Sequence, residues 1–132
     1  MLREYEGRVR LVVKDFPLAS HALARPAHAA ARCAGQAGHF WAYHDRLYET
    51  QPHFQRADLV RSAVRLGLDE PTFVRCLESG TFAAAVEADV SQGRALGVRS
   101  TPTFFINGQM LVGAQSVDAM RRAIEAALAR RR

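Results

Sequence analysis

Cysteine is scarce in this chain. There are two, Cys33 and Cys76, 43 positions apart. That spacing forms neither a Cys-x-x-Cys redox pair nor a zinc-ligand pattern. It leaves two readings open: a structural disulfide, or two thiols packed as small hydrophobes. Long apolar runs are also lacking, so nothing approaches the length needed to cross a bilayer as a helix. The opening "MLREYEGRVR" is too charged to read as a signal peptide. Lysine is nearly absent, Lys14 being the single one among 18 basic residues. The five histidines, at positions 21, 28, 39, 44 and 53, never fall at a ligand spacing such as His-x-x-x-His, so no metal site is expected.

What is present is the composition of one ordinary globular domain: 132 residues, 48% hydrophobic and 23% charged. The formal charge of +5 and the pI near 10.0 raise the question of a nucleic-acid partner. The arginines are scattered, however, and no basic–aromatic interleaving or reading helix accompanies them, so nucleic acid is not expected as a partner. The two clusters, Arg121-Arg122 and the terminal "ARRR", are expected in or beyond the last turns of a helix, where cations complement the dipole.

The order of elements is mixed. "GRVRLVVKDFPL" reads as a strand over Val9–Lys14, with Val9, Leu11 and Val13 alternating against Arg8, Arg10 and Lys14. Residues 20–97 read as four or five short helices with breakers at Gly35, Pro52, Gly67, Gly80 and Gly97. Asp58, Asp69 and Thr81 are the expected caps, and Phe40, Trp41, His44, Leu47 and Tyr48 form a stripe whose large aromatics should help fill the core. "TPTFFI" and "QMLVG" then flank Asn107-Gly108, a strong hairpin signal. Ser116 opens a last helix, with Val117, Met120, Ile124 and Leu128 along one stripe. The fold class is α+β, with a sheet assembled from distant pieces and both faces of Phe104-Phe105 expected under helices.

The stretch "GVRSTPTFFINGQMLVGAQSVDAMRRAIEAAL" resembles the closing half of a thioredoxin fold: a Thr-Pro loop, a hairpin and a C-terminal helix. "GRVRLVVKDFPL", "AARCAGQAGHFWAYHDRLYETQ", "LGLDEPTFVRCLESG" and "VEADVSQGRALGV" are similar, in order and spacing, to the DsbA-like thiol:disulfide oxidoreductases, in which a helical domain is inserted into the thioredoxin core. The resemblance covers nearly all of the chain. It implies a single domain over residues 1–132, incomplete at its N-terminus, with residues 20–97 as the insertion. It implies a cis bond before Pro102, and it assigns substrate docking to Thr101 and Pro102, which would pair with an extended cysteine-containing polypeptide by strand addition. A redox partner protein would be a second class of partner, no cofactor is implied, and the family is commonly extracytoplasmic.

The family's chemistry belongs to a Cys-x-x-Cys at a helix start, where the dipole and free N–H groups favour the thiolate. No such pair occurs here, and "MLREYEG" corresponds to the tail of that helix. The chain itself is therefore expected to be redox-inactive, with no catalytic residue of its own. The missing preceding strand is expected between Val9–Lys14 and Thr103–Ile106, leaving both neighbours uncovered. Three accounts of that gap stand together: a longer parent protein, a strand lent by a partner or a second copy, or a smaller rearranged fold. Self-association through the incomplete sheet follows from the second account. A non-catalytic peptide-binding module is the alternative function.

Overall fold

Short stretches bounded by caps and glycines dictate most of the architecture, and the computed structural model describes residues 1–130 of it. The last two arginines of the terminal basic cluster lie outside the described residues. The chain divides into two compact units, Asp15–Gly93 and a second made of Met1–Lys14 with the residues from Arg94 onward.

In the first unit, α1 spans Ala24–Gln36, α2 Phe40–Thr50, α3 Arg56–Arg65 and α4 Glu70–Ser79; α5, Ala83–Ala95, runs through its end. Capping follows local chemistry. The Asp69 carboxylate accepts from the Thr72 N–H at 3.1 Å, Pro71 sits in the first turn of α4, and Gly80 closes that helix at φ 64°. Asp58 acts differently from expectation. The cap is Gln55, and Asp58 is the reciprocal member of a capping box, accepting from the Gln55 N–H at 3.2 Å. Thr81 does not cap α5; its hydroxyl lies 2.5 Å from that of Ser79.

Alanine makes the core of this unit possible, because helices can approach closely where side chains are small. Ala27, Ala30, Ala31 and Ala34 of α1 are buried with Leu59, Ala63 and Phe73. Gly35 lets α2 in: a Cβ there would stand 3.3 Å from that of Phe40. Phe40 and Leu47 of the expected stripe pack against this core, but the most buried position of α2 lies outside that stripe. Tyr43 is fully buried and donates its hydroxyl to the Leu59 carbonyl at 2.9 Å, whereas Trp41 is 47% exposed and Tyr48 lies open beside it. A buried phenol is tolerated when its O–H finds an acceptor, and here it has one. Cys33 of α1 and Cys76 of α4 are bridged, with Cα atoms 5.9 Å apart.

In the second unit, β1 (Thr103–Ile106) and β2 (Gln109–Val112) form a two-stranded antiparallel hairpin. Asn107 and Gly108 both take positive φ, 47° and 87°, as a two-residue turn of this hand requires. The helix α6, Val117–Ala129, starts on Ser116, whose hydroxyl accepts from the Ala119 N–H at 3.1 Å. It packs against β1 with Ile124 and Ala127 buried.

Four expectations fail in this unit. Val9–Lys14 is not a strand, because among the described residues the sheet consists of β1 and β2 alone; Leu11, Val12 and Val13 are exposed, Val12 at 59%. Phe105 is 42% exposed while Phe104 is half-buried, so helices do not cover both faces. Val117 at the start of the expected stripe is exposed too. Arg121-Arg122 falls in the first half of α6, away from its C-terminal dipole. Arg121 instead reaches both carboxylate oxygens of Glu4, at 2.9 and 2.8 Å, and Asp118 at 3.1 Å. This ties the helical turn Leu2–Tyr5 to α6.

Candidate functional site

The loop ahead of β1 is built from local bonds. Thr103 donates its hydroxyl to the Ser100 carbonyl at 2.7 Å, and the Pro102 carbonyl accepts the Gly113 N–H at 2.8 Å. Between those anchors the Thr101–Pro102 bond is cis, and both residues are exposed. Among the described residues, the N–H and C=O of Thr101 take part in no backbone hydrogen bond. An extended segment meeting this loop finds one residue's donor and acceptor unspent, next to a residue that has no N–H of its own.

No free thiol accompanies the loop among the described residues. Both cysteines are joined to each other, in the other unit, and no free thiol exists. The bridge connects α1 to α4 inside a packed helical core, which is a structural position. Among the described residues no three His, Cys, Asp or Glu side chains converge as a metal site would require, and no helix is long and apolar enough to cross a membrane.

Two charged constellations were invisible in the sequence. In the helical unit, Asp15 and Asp89 are buried together around Arg32. The Arg32 guanidinium donates to Asp15 through Nε and to Asp89 at 2.7 Å, the Asp15 N–H donates to Asp89 at 3.0 Å, and His28 Nδ1 stands 2.7 Å from Asp15. The bonded pairs are 13 to 74 residues apart along the chain, so no local pattern announces them. In the other unit, the Arg121 bond pulls the Glu4 carboxyl from 4.5 to about 2. Burial, and then the neighbouring Glu125, pushes the Tyr5 phenol up. Each constellation ties together, within its own unit, segments that are distant along the chain.

A cis-proline loop leading into an antiparallel hairpin, with a helix packed on β1, defines a thioredoxin-type arrangement. The comparisons agree. A family model described as Thioredoxin matches residues 1–126, and the chain belongs to that family. A crystal structure of a thioredoxin-like oxidoreductase from Silicibacter pomeroyi DSS-3 superposes with a TM-score of 0.85 at 24% identity, covering 99% of this chain and 74% of that one. The fold is therefore thioredoxin-like. Among curated relatives, the Na(+)/H(+) antiporter NhaA 3 of Salinispora tropica is 37% identical over 122 residues, 92% of this chain and 19% of that protein. The Na(+)/H(+) antiporter NhaA of Herminiimonas arsenicoxydans is 32% identical over 118 residues, again 19% of its length. The chain spans about a fifth of the length of these relatives.

Proposed function

We propose that this chain is the peptide-docking portion of a DsbA-like thiol:disulfide oxidoreductase, acting on extended cysteine-containing polypeptides. The observation that carries the reading is the exposed Thr101 backbone, with its donor and acceptor unpaired beside Pro102 at the head of β1. A polypeptide adding there gains main-chain hydrogen bonds with little demand on its side chains, which suits an enzyme that must accept many partners.

The chemistry is disulfide exchange. A thiolate attacks one sulfur of a disulfide, a mixed disulfide forms, and the other sulfur departs as a thiolate; a second thiolate then resolves the mixed disulfide. Neither thiolate comes from Cys33 or Cys76, which are bridged. The reading therefore takes the cysteine pair from polypeptide outside these 132 residues, with the helical unit, near residues 20–97, as the insertion. Matching segments in far longer relatives support a domain that works as one part of a larger protein. The bridge itself suits an oxidising, extracytoplasmic setting.

Insulin reduction by dithiothreitol tests this. The 132-residue chain should not accelerate it, and Cys33→Ala with Cys76→Ala should change nothing. Turnover that survives removal of both cysteines would mean that other chemistry is present. A second reading, favoured by the absence of a free thiol, is a binding module that holds peptides without oxidising them. A full-length protein carrying no further cysteine pair would select it.

A further inference from the structure

The helical unit carries an aromatic row that its core only half uses. On α2 the rings of Phe40 and Trp41 meet edge-on with centroids 5.2 Å apart. Trp41 and His44 follow at 5.4 Å, and His44 and Tyr48 at 5.1 Å. Phe40 anchors one end of the row against the core. The rest opens to solvent, with Trp41 47% exposed and Tyr48 68%. A large ring left in water forfeits the burial that ordinarily holds it in place, so two of them in one contiguous row mark a contact surface.

The same face carries negative charge. Trp41, Asp45 and Tyr48 are spaced i, i+4 and i+7 along α2, so the carboxylate stands between the two open rings on one side of the helix. Asp45 is itself exposed. Among the described residues its ion-pair partner is His44, with Nδ1 3.0 Å from one carboxylate oxygen, and no lysine or arginine pairs with it. Glu49, one turn further on, is matched by Arg46 at 3.0 Å. The chain as a whole is basic, at +5, so an electron-rich face is a local inversion of sign. Ring faces attract cations through their quadrupole, and the carboxylate adds a formal charge. A guanidinium satisfies both demands, being planar enough to lie on a ring and forked enough to meet a carboxylate through two N–H groups.

We propose that the face of α2 formed by Trp41, Asp45 and Tyr48 docks an arginine side chain of an extended polypeptide, with the guanidinium against the rings and paired to the Asp45 carboxylate. Length favours a polypeptide over a small cation. From Trp41 to Tyr48 the helix rises about 10 Å, the span of about three residues of extended chain. A small cation would cover one ring and leave the other in water. Contacts between the rings already restrict their rotamers, which lowers the entropy lost when a partner settles on them. Every residue used lies in the helical unit, so the inference goes beyond the reading of the proline loop and does not depend on it.

Trp41 is the only tryptophan in the sequence, so its fluorescence reports on the site directly. The probe is the cysteine-free peptide acetyl-Leu-Arg-Leu-Gly-amide, titrated into the 132-residue chain at constant pH and low salt. Two further peptides carry citrulline or lysine in place of arginine; citrulline keeps the shape and removes the charge. The arginine peptide should give a saturable change in Trp41 emission, with the citrulline peptide binding about 5-fold more weakly or worse and the lysine peptide between them. Asp45→Asn and Tyr48→Ala should each weaken the arginine peptide about 3-fold, the size of one exposed ion pair or one ring contact. Both side chains are exposed, so the circular dichroism of the variants should match that of the parent chain. The absence of a saturable change, equal binding of the citrulline peptide, or undiminished binding by Asp45→Asn would overturn the proposal. Equal binding of the lysine peptide would overturn the assignment to arginine. No thiol chemistry enters this readout, so its failure is distinct from an unexpected outcome of the insulin assay.

Discussion

Reducing the Cys33–Cys76 bridge removes the one covalent tie between α1 and α4. The bridge closes a loop of 43 residues, and chain-entropy reasoning assigns a loop of that length about 4 kcal/mol through restriction of the unfolded ensemble. A domain of this size has about 5–15 kcal/mol in total, so the loss is a large fraction. The helical unit should feel it most, because both bridged helices contribute to its core. Urea denaturation followed by far-ultraviolet circular dichroism, with and without a phosphine reductant, measures the difference. The expected result is a stability lower by about 4 kcal/mol on reduction, matched by the Cys33→Ala, Cys76→Ala double variant. A change below about 1 kcal/mol would refute the reasoning, since it would mean that α1 and α4 are already held together in the unfolded chain.

Other perturbations probe the polar contacts. Arg32→Met should destabilise the helical unit by about 3 kcal/mol or more, because Asp15 and Asp89 would be left buried around an apolar side chain; chemical denaturation checks this. Tyr43→Phe deletes the hydroxyl that meets the Leu59 carbonyl and should cost about 1–2 kcal/mol by the same assay, with little change in helix content. Glu4 is a pH probe. Its folded carboxyl is held near 2, below the ordinary 4.5, so the tie to Arg121 is fully present above about pH 4.5. It is lost as pH falls toward 2, and Arg121→Ala should return the carboxyl midpoint to its ordinary range in an NMR titration.

Local chemistry was legible in the sequence and distant chemistry was not. Asp69 and Ser116 read as caps because a cap needs only a side-chain oxygen and an N–H three residues on. The Asn107-Gly108 turn was equally plain, since few other pairs accept positive φ twice. Asp58 was read one turn too early in its helix: a capping box puts an acidic residue at its third position, and Gln55 is an uncommon cap. On α2, Phe40 and Leu47 of the expected stripe do pack against the core, but hydrophobicity ranks Trp41 with them and cannot see that the Tyr43 hydroxyl has an acceptor on α3. Val9–Lys14 has a strand's alternation, but a strand is made by its neighbour, and the sheet among the described residues consists of β1 and β2 alone. The Asp15, His28, Arg32 and Asp89 cluster depends wholly on tertiary folding. At the site, Thr101 and Pro102 were named from the resemblance.

The central claim is that the loop before β1 holds extended polypeptide through the backbone of Thr101. Calorimetric titration with a cysteine-free extended peptide, alongside the same peptide N-methylated at alternate positions, tests it most directly. Binding by the plain peptide, lost on methylation and kept in Thr101→Ala, is the expected result. Equal binding of the methylated peptide would contradict the claim, because main-chain pairing could then not be what holds it.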